Sequence, residues 1–285
     1  MALAGLIGSG IGGSLTPAMQ VEEAARHGLR LHYQPIDLDR TGSGVEALPM
    51  LLGAARIMGF AGLNITYPCK QAVIPLLDEL SPEARAIGAV NTIVNRDGRL
   101  AGYNTDSSGW RWGFERTLPQ ADLACVVLVG AGGAGSAIAH ALLQMGTGRL
   151  LIHDMLATRA AGLVGRLAQV HGAARVAGAD DLAVALRTAS GLVHATPTGM
   201  AKLPGMALPE GLLRPGLWVS EVVYFPLQTP LLQAAQSLGC DTVDGGAMAV
   251  GQAAGAFELF TGLQADAERM RAHFKRLLEG SGGHP

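Results

Sequence analysis

Leu123-Ala-Cys-Val-Val-Leu-Val129 runs directly into Gly130-Ala-Gly-Gly-Ala-Gly135, and Ser136 to Met145 follows with helical character. A short apolar run, a glycine turn and a helix, in that order, are what a dinucleotide-binding βαβ unit requires. Gly130 permits the tight turn, Gly132 lets the backbone approach a pyrophosphate, and Gly135 allows close helix–strand packing. The helix start offers amide donors to phosphate, and Ala131, Gly133 and Ala134 complete the loop. Three glycines are weak on their own in a chain holding 40, where a purely structural turn is the bland alternative. The strand before and the helix after carry the reading.

The next apolar run, Arg149-Leu-Leu-Ile-His-Asp154, ends in a carboxylate about two dozen residues after Gly130, near the offset of a ribose-binding acid. Asp154 is expected to accept from the adenosine ribose hydroxyls; its structural alternative is a solvated strand end or helix cap. It would oppose the 2′-phosphate of NADP as a like charge, with Met155 and Leu156 rather than a cation beside it, so NAD is the expected cofactor. Arg159 is the nearby cation, expected to be solvated or stacked on adenine.

Outward from this unit, apolar runs at Gly5–Gly8, Leu31–Ile36, Gly62–Thr66, Gly191–Ala195 and Leu217–Val223 alternate with helical patterns. That alternation predicts an α/β fold of parallel sheets covered by helices. The strands form two sets separated near Gly109. The expected division is an N-terminal α/β substrate-binding and catalytic domain (1–108), a Rossmann-like doubly wound nucleotide domain (109–244), and C-terminal helices (245–285) returning to the first domain. Those helices are read at Ala247–Leu259 and Ala265–Leu278, with Ser281–Pro285 as a frayed tail.

The composition, 49% hydrophobic and 15% charged over 285 residues, suits a chain with sizeable cores. No apolar run approaches the length of a membrane span. Met1–Gly5 lacks a basic region before its apolar residues and reads as a strand, so a cytoplasmic protein is expected. A net charge of −2 without a Lys/Arg run gives nucleic acid no footprint. Cys69, Cys125 and Cys240 lack CxxC spacing and the histidines lack metal-ligand spacing, so neither a disulfide framework nor a metal is expected.

Further segments belong together: Gly13-Ser14-Leu15-Thr16-Pro17, Gly62-Leu-Asn64-Ile-Thr66-Tyr-Pro68-Cys-Lys70, Gly88-Ala-Val-Asn91-Thr92 and Gly102-Tyr-Asn104-Thr105-Asp106. Ala195-Thr196-Pro197-Thr198-Gly199-Met200, Val223-Tyr224-Phe-Pro226-Leu-Gln-Thr229-Pro230 and Asp244-Gly245-Gly246-Ala-Met248 leading to Gln252 follow. In order and spacing the set resembles the shikimate/quinate dehydrogenase family across nearly the whole chain. The resemblance implies an NAD(P)-dependent enzyme oxidising a ring hydroxyl of a cyclic hydroxy acid. It makes Lys70 and Asp106 the catalytic pair and gives Asn91 and Gln252 the ring hydroxyls. Ser14, Thr16 and Tyr224 would take the substrate carboxylate, Asn64 and Thr66 would complete the substrate site, and Thr196 and Met248 would lie by the cofactor.

The residue types suit that chemistry, because oxidising a secondary alcohol needs an acid–base group within hydrogen-bond reach of its oxygen. Each residue alone has a blander reading. Lys70 would be a solvated lysine, Asp106 a helix cap, Ser14 and Thr16 a helix start before Pro17, Asn64 and Thr66 turn residues, and Tyr224 a core aromatic. The chain also departs from the family pattern. Gly13 and Thr16 replace the histidine and second serine of a His-Ser-x-Ser-Pro segment, and Asp154-Met155-Leu156 replaces the Asn-Arg-Thr of NADP-using members. These changes resemble NAD-dependent quinate/shikimate dehydrogenases. His194 stands where asparagine is usual and Glu221 where aspartate is frequent, and sequence gives neither a physical account. The expected function is reversible oxidation of quinate, shikimate or both. The alternatives are an aminoshikimate-type or diverged member acting on a related cyclic acid, and a non-catalytic ligand sensor, against which intact Lys70 and Asp106 argue. The expected partners are the small acid and the dinucleotide, with a homodimer as the assembly considered.

Overall fold

A computed structural model of the chain describes residues 2–281. Twelve strands are present among them: β1 Ala2–Gly8, β2 Leu31–Asp37, β3 Gly62–Ile65, β4 Glu79–Leu80, β5 Thr92–Arg96, β6 Arg99–Tyr103, β7 Cys125–Val129, β8 Arg149–His153, β9 Val176–Gly178, β10 Gly191–His194, β11 Trp218–Glu221 and β12 Thr242–Val243. They form two six-stranded sheets, and the chain divides into two compact units, Met1–Thr105 with Val250–Pro285, and Asp106–Ala249. The fold is α/β, as the alternation of apolar runs predicts. The helices read from sequence at the C-terminal end are Gly245–Thr261 and Ala267–Ser281. Of the expected frayed tail, Ser281 ends the last helix and residues 282–285 lie outside the described residues.

The sheet of the first unit runs β2-β1-β3-β5-β6-β4. β1 pairs in parallel with β2 and β3, and β5 is antiparallel to both β3 and β6. β5 and β6 were not expected; they form a hairpin around Asp97 and Gly98, both at positive φ (54° and 83°), as a two-residue type I′ turn requires. Ile7, Leu48, Leu52, Phe60, Leu63, Ile65 and Ile93 fill the core between sheet and helices.

In the second unit the order β12-β11-β10-β7-β8-β9 is parallel throughout. Counted from β7, this is the doubly wound order, with its switch point between β7 and β10. Val126, Val127, Leu128 and Val129 are all buried, because both faces of the sheet carry helices. The helix Asp106–Thr117 is fixed on this unit by aromatic packing. Trp110 stacks on Phe114 at 4.7 Å, Phe114 meets Trp218 edge-on at 4.9 Å, and Trp110 Nε1 donates to Ser220 Oγ at 3.0 Å. That clamp sets the position of Asp106, the first residue of the helix. No helix among the described residues is long and apolar enough to cross a membrane.

Candidate active site

In the second unit, Gly130 turns the chain at φ +106°, a conformation that disfavours any side chain. A Cβ on Gly135 would stand 1.9 Å from the Gly130 carbonyl oxygen, so the helix Gly133–Gln144 packs on the turn as closely as glycine permits. A Cβ on Gly132 would meet nothing within 4 Å. Gly132 is the N-cap of that helix, and no side chain caps it. The amides of a first turn without a side-chain cap, bordered by open space, form a cradle of the kind that receives phosphate. Asp154 closes one side of it. One carboxylate oxygen accepts from the Ala131 amide at 2.8 Å and the other from the Leu156 amide at 2.9 Å. Each oxygen keeps lone-pair capacity toward a ribose hydroxyl. Met155 is 97% exposed, and Arg159 is exposed on the helix Ala157–His171. These features fit a dinucleotide. Met248, also expected at the cofactor, is buried in the same apolar cluster as Trp110 and Val243.

On the other side of β7, the end of β10 carries a buried polar chain. His194 Nδ1 lies 2.8 Å from Glu221 Oε1, and its Nε2 lies 2.5 Å from the Thr196 hydroxyl. Glu221 also accepts from the Val222 and Val223 amides at 2.8 and 3.0 Å, and from the Thr229 hydroxyl at 3.0 Å. Glu221, unexplained by sequence, thus has a structural role together with His194. Tyr224, on the loop after β11, is partly exposed rather than a core aromatic.

In the first unit, the sequence motifs converge on one hydrogen-bond network. Asn91 Nδ2 donates to Thr105 Oγ1 at 2.9 Å and to Gln252 Oε1 at 3.3 Å, while its Oδ1 accepts from the Thr105 amide at 2.8 Å and the Thr92 hydroxyl at 3.0 Å. Asn64 lies inside β3, not in a turn, and donates to Thr92 Oγ1 at 3.1 Å while accepting from the Tyr33 hydroxyl at 2.7 Å. Asn64 and Asn91 are buried to 3% and 1% exposure, so their amides are held rigidly. Gln252 is half-buried, and accepting at Oε1 aims its two Nε2 hydrogens elsewhere. Thr92 and Thr105 entered the sequence reading only as members of motifs, without a role, and Tyr33 was not named in it. Nothing near Tyr33 in sequence points to its role, which exists through pairing across the sheet.

Ser14 and Thr16 stand at the start of the helix Thr16–Arg26, but its N-cap is Leu15, which makes no side-chain cap bond. Ser14 Oγ accepts from the Thr16 amide at 3.4 Å, and Thr16 is 6% exposed. The helix-start reading therefore holds for position, while the N-cap residue itself offers no side-chain cap and the long bond to Ser14 Oγ takes up the Thr16 amide. Thr66 and Lys70 flank the short turn to the helix Cys69–Ala72, and both are half-buried. Cys69 beside Lys70 is fully buried, and burial pushes its thiol up to about 11, so it stays protonated and packs rather than reacts.

Residues 6–93 match the family model described as Shikimate dehydrogenase substrate binding domain, and residues 247–273 match Shikimate 5′-dehydrogenase C-terminal domain. A Streptomyces avermitilis protein named Shikimate dehydrogenase (NADP(+)) is 57% identical over 96% of this chain and 95% of its own length. A Corynebacterium efficiens protein named Quinate/shikimate dehydrogenase (NAD(+)) is 47% identical over 96% of this chain and 98% of its own. Among solved structures, quinate dehydrogenase from Corynebacterium glutamicum in complex with NAD superposes with a TM-score of 0.88 at 45% identity, covering 96% of this chain and 99% of that one.

Proposed function

The chain belongs to the shikimate dehydrogenase family of NAD(P)-dependent oxidoreductases acting on a CH–OH group, and from that premise we propose that it reversibly oxidises quinate, shikimate or both to the 3-dehydro ketone with NAD. One observation supports the choice of cofactor above all. The Asp154 carboxylate is anchored on the cofactor loop by the Ala131 and Leu156 amides, with no cation at 155 or 156. It can accept from both ribose hydroxyls of NAD, whereas a 2′-phosphate would meet a fixed negative charge. Bound NAD supplies the hydride acceptor.

Proton transfer at the alcohol oxygen is assigned to Lys70 and Asp106, with Lys70 Nζ as the carrier. Ser14 and Thr16 take the carboxylate at the start of their helix, with Tyr224 as a further donor. Gln252 donates to ring hydroxyls, and Asn91 fixes its amide. Asn64 and Thr66 complete the substrate site.

A second reading, NADP use, is favoured by the name of the Streptomyces relative and by the exposed Arg159, a guanidinium able to meet a phosphate. Initial rates with quinate and shikimate, each with NAD and NADP, test both readings. A clear NAD preference that shrinks in Asp154→Ala is the expected result. Equal or better efficiency with NADP overturns the Asp154 argument, and no turnover of either acid overturns the substrate assignment.

A further inference from the structure

His194 and Glu221 occupy paired register positions on the neighbouring strands β10 and β11, and both side chains are 1% exposed. The direction of each hydrogen bond follows from what each atom can do. Glu221 Oε1 already accepts from the Val222 and Val223 amides, whose hydrogens are fixed to nitrogen. It is therefore the acceptor in its third contact, and His194 Nδ1 carries the hydrogen across the 2.8 Å. In the ring that carries its one hydrogen at Nδ1, Nε2 presents a lone pair, to which the Thr196 hydroxyl donates. With its hydrogen committed, Thr196 Oγ1 can only accept. It takes a long bond from the Thr198 amide at 3.3 Å and keeps capacity for another donor.

Thr196 stands just past the end of β10, across β7 from β8, where Asp154 closes the cofactor loop. A dinucleotide lying over the switch point with its adenosine ribose at Asp154 brings its nicotinamide half to the β10 side. A hydroxyl of the ligand could pair with Thr196 of either polarity. A fixed acceptor matters for a group that can only donate, and the carboxamide nitrogen of nicotinamide is such a group. We infer that His194 and Glu221 hold Thr196 Oγ1 as an acceptor for the nicotinamide carboxamide N–H, which makes His194 and Glu221 positioning residues for the reacting ring. The inference rests on the dinucleotide reading of this unit.

Isothermal titration calorimetry of the whole protein with NAD and with its 3-acetylpyridine analogue tests it without turnover, because the analogue replaces the carboxamide nitrogen with methyl. The unaltered protein should bind NAD about three- to tenfold more tightly than the analogue, as one neutral hydrogen bond is worth. Thr196→Val and His194→Phe should bring that ratio close to one, and Thr196→Ser should restore it. Asp154→Ala should weaken both ligands together and leave the ratio standing. Should His194→Phe fail to fold, His194→Asn replaces it, because a short amide can bond Glu221 without reaching Thr196. An unchanged ratio in the Thr196→Val and position-194 variants overturns the positioning role while leaving the dinucleotide reading intact. Failure of the unaltered protein to bind either ligand overturns both.

Discussion

Gly132 and Gly135 lie three residues apart in one loop, yet alanine at each should fail in opposite ways. At Gly135 the new Cβ would sit 1.9 Å from the Gly130 carbonyl oxygen and 2.9 Å from its carbon. An ordinary contact needs about 3.5 Å, so backbone on one side must move by roughly 1.5 Å. Both partners are main chain, one in a helix and the other in a turn pinned by the bond from the Gly130 amide to the His153 carbonyl, so relief is poor. Overpacking of this kind costs about 1–3 kcal/mol, and rigid partners place Gly135→Ala at the upper end. At about 2–4 °C per kcal/mol, the melting temperature should fall by about 6–12 °C. At Gly132 a Cβ meets nothing within 4 Å and φ is −78°, which alanine adopts freely. The entropy gain of about 0.4–1 kcal/mol is offset by alanine's poorer standing at an N-cap, so stability should barely change. The methyl would instead occupy the space through which a pyrophosphate reaches the amides. Losing one charged hydrogen bond there costs about 1.5–3 kcal/mol, or roughly 10- to 150-fold in NAD affinity. Thermal unfolding and NADH fluorescence titration on both variants make the comparison. Normal NADH binding by a stable Gly132→Ala protein would refute the cradle, and an unshifted melting temperature for Gly135→Ala would refute the packing argument.

Lys70→Ala should lower kcat by about 10²- to 10⁴-fold with a smaller change in KM, as loss of an acid–base group does; near-normal turnover removes Lys70 from the mechanism. Thr16→Val keeps the shape of a buried side chain and deletes its hydroxyl. Its KM for the acid should rise by roughly 10- to 150-fold, the worth of a bond to a carboxylate, and an unchanged KM places that carboxylate elsewhere. His140 and His171 lie 3.0 Å apart across two helices, with the Arg175 guanidinium nearby. Burial holds both below the usual 6.5, and for His171 the charges of His140 and Arg175 add to it. The unfolded chain therefore binds more protons as pH drops through 6.5, and stability falls with it. Urea midpoints should decline over that window and flatten in His140→Phe; a flat profile for the unaltered protein contradicts the burial argument.

The nucleotide loop was legible in sequence because its signal is local: seven apolar-run residues, a glycine turn and a carboxylate at a fixed offset, all between Leu123 and Asp154. The hairpin of β5 and β6 carried an equally local signal, Asp97-Gly98 between the short apolar pairs Ile93-Val94 and Leu100-Ala101, that would have revealed it. β4 and β12 are two residues each and β9 three, too short for any period to show. The substrate-side network was visible as separate motifs but not as a network, since its bonds join residues as far apart as Asn91 and Gln252, 161 positions in sequence. His194 and Glu221 fall between these cases. Each was conspicuous alone, and their meaning required knowing that β10 and β11 are neighbours in register.

The names of the relatives pull in different directions on the cofactor, with NADP(+) at 57% identity and NAD(+) at 47%. Identity over the chain averages nearly three hundred positions, most of them occupied in building two sheets and their helices. On the proposed dinucleotide reading, the 2′-phosphate that separates the cofactors would face the end of β8 and the turn and helix after it. There this chain presents one carboxylate and two exposed apolar residues, with one exposed guanidinium on the helix that follows. Asp154 is anchored by two backbone amides, so swinging away would leave the part-buried Ala131 N–H unpaired, at about 1–3 kcal/mol, and give up to water the exposed bond from the Leu156 amide. Arg159 carries no such anchor among the described contacts and loses side-chain entropy on being ordered by a phosphate. On the NAD reading proposed above, the fixed negative charge outweighs the mobile positive one, and Asp154 is the position at which an exchange of preference should begin.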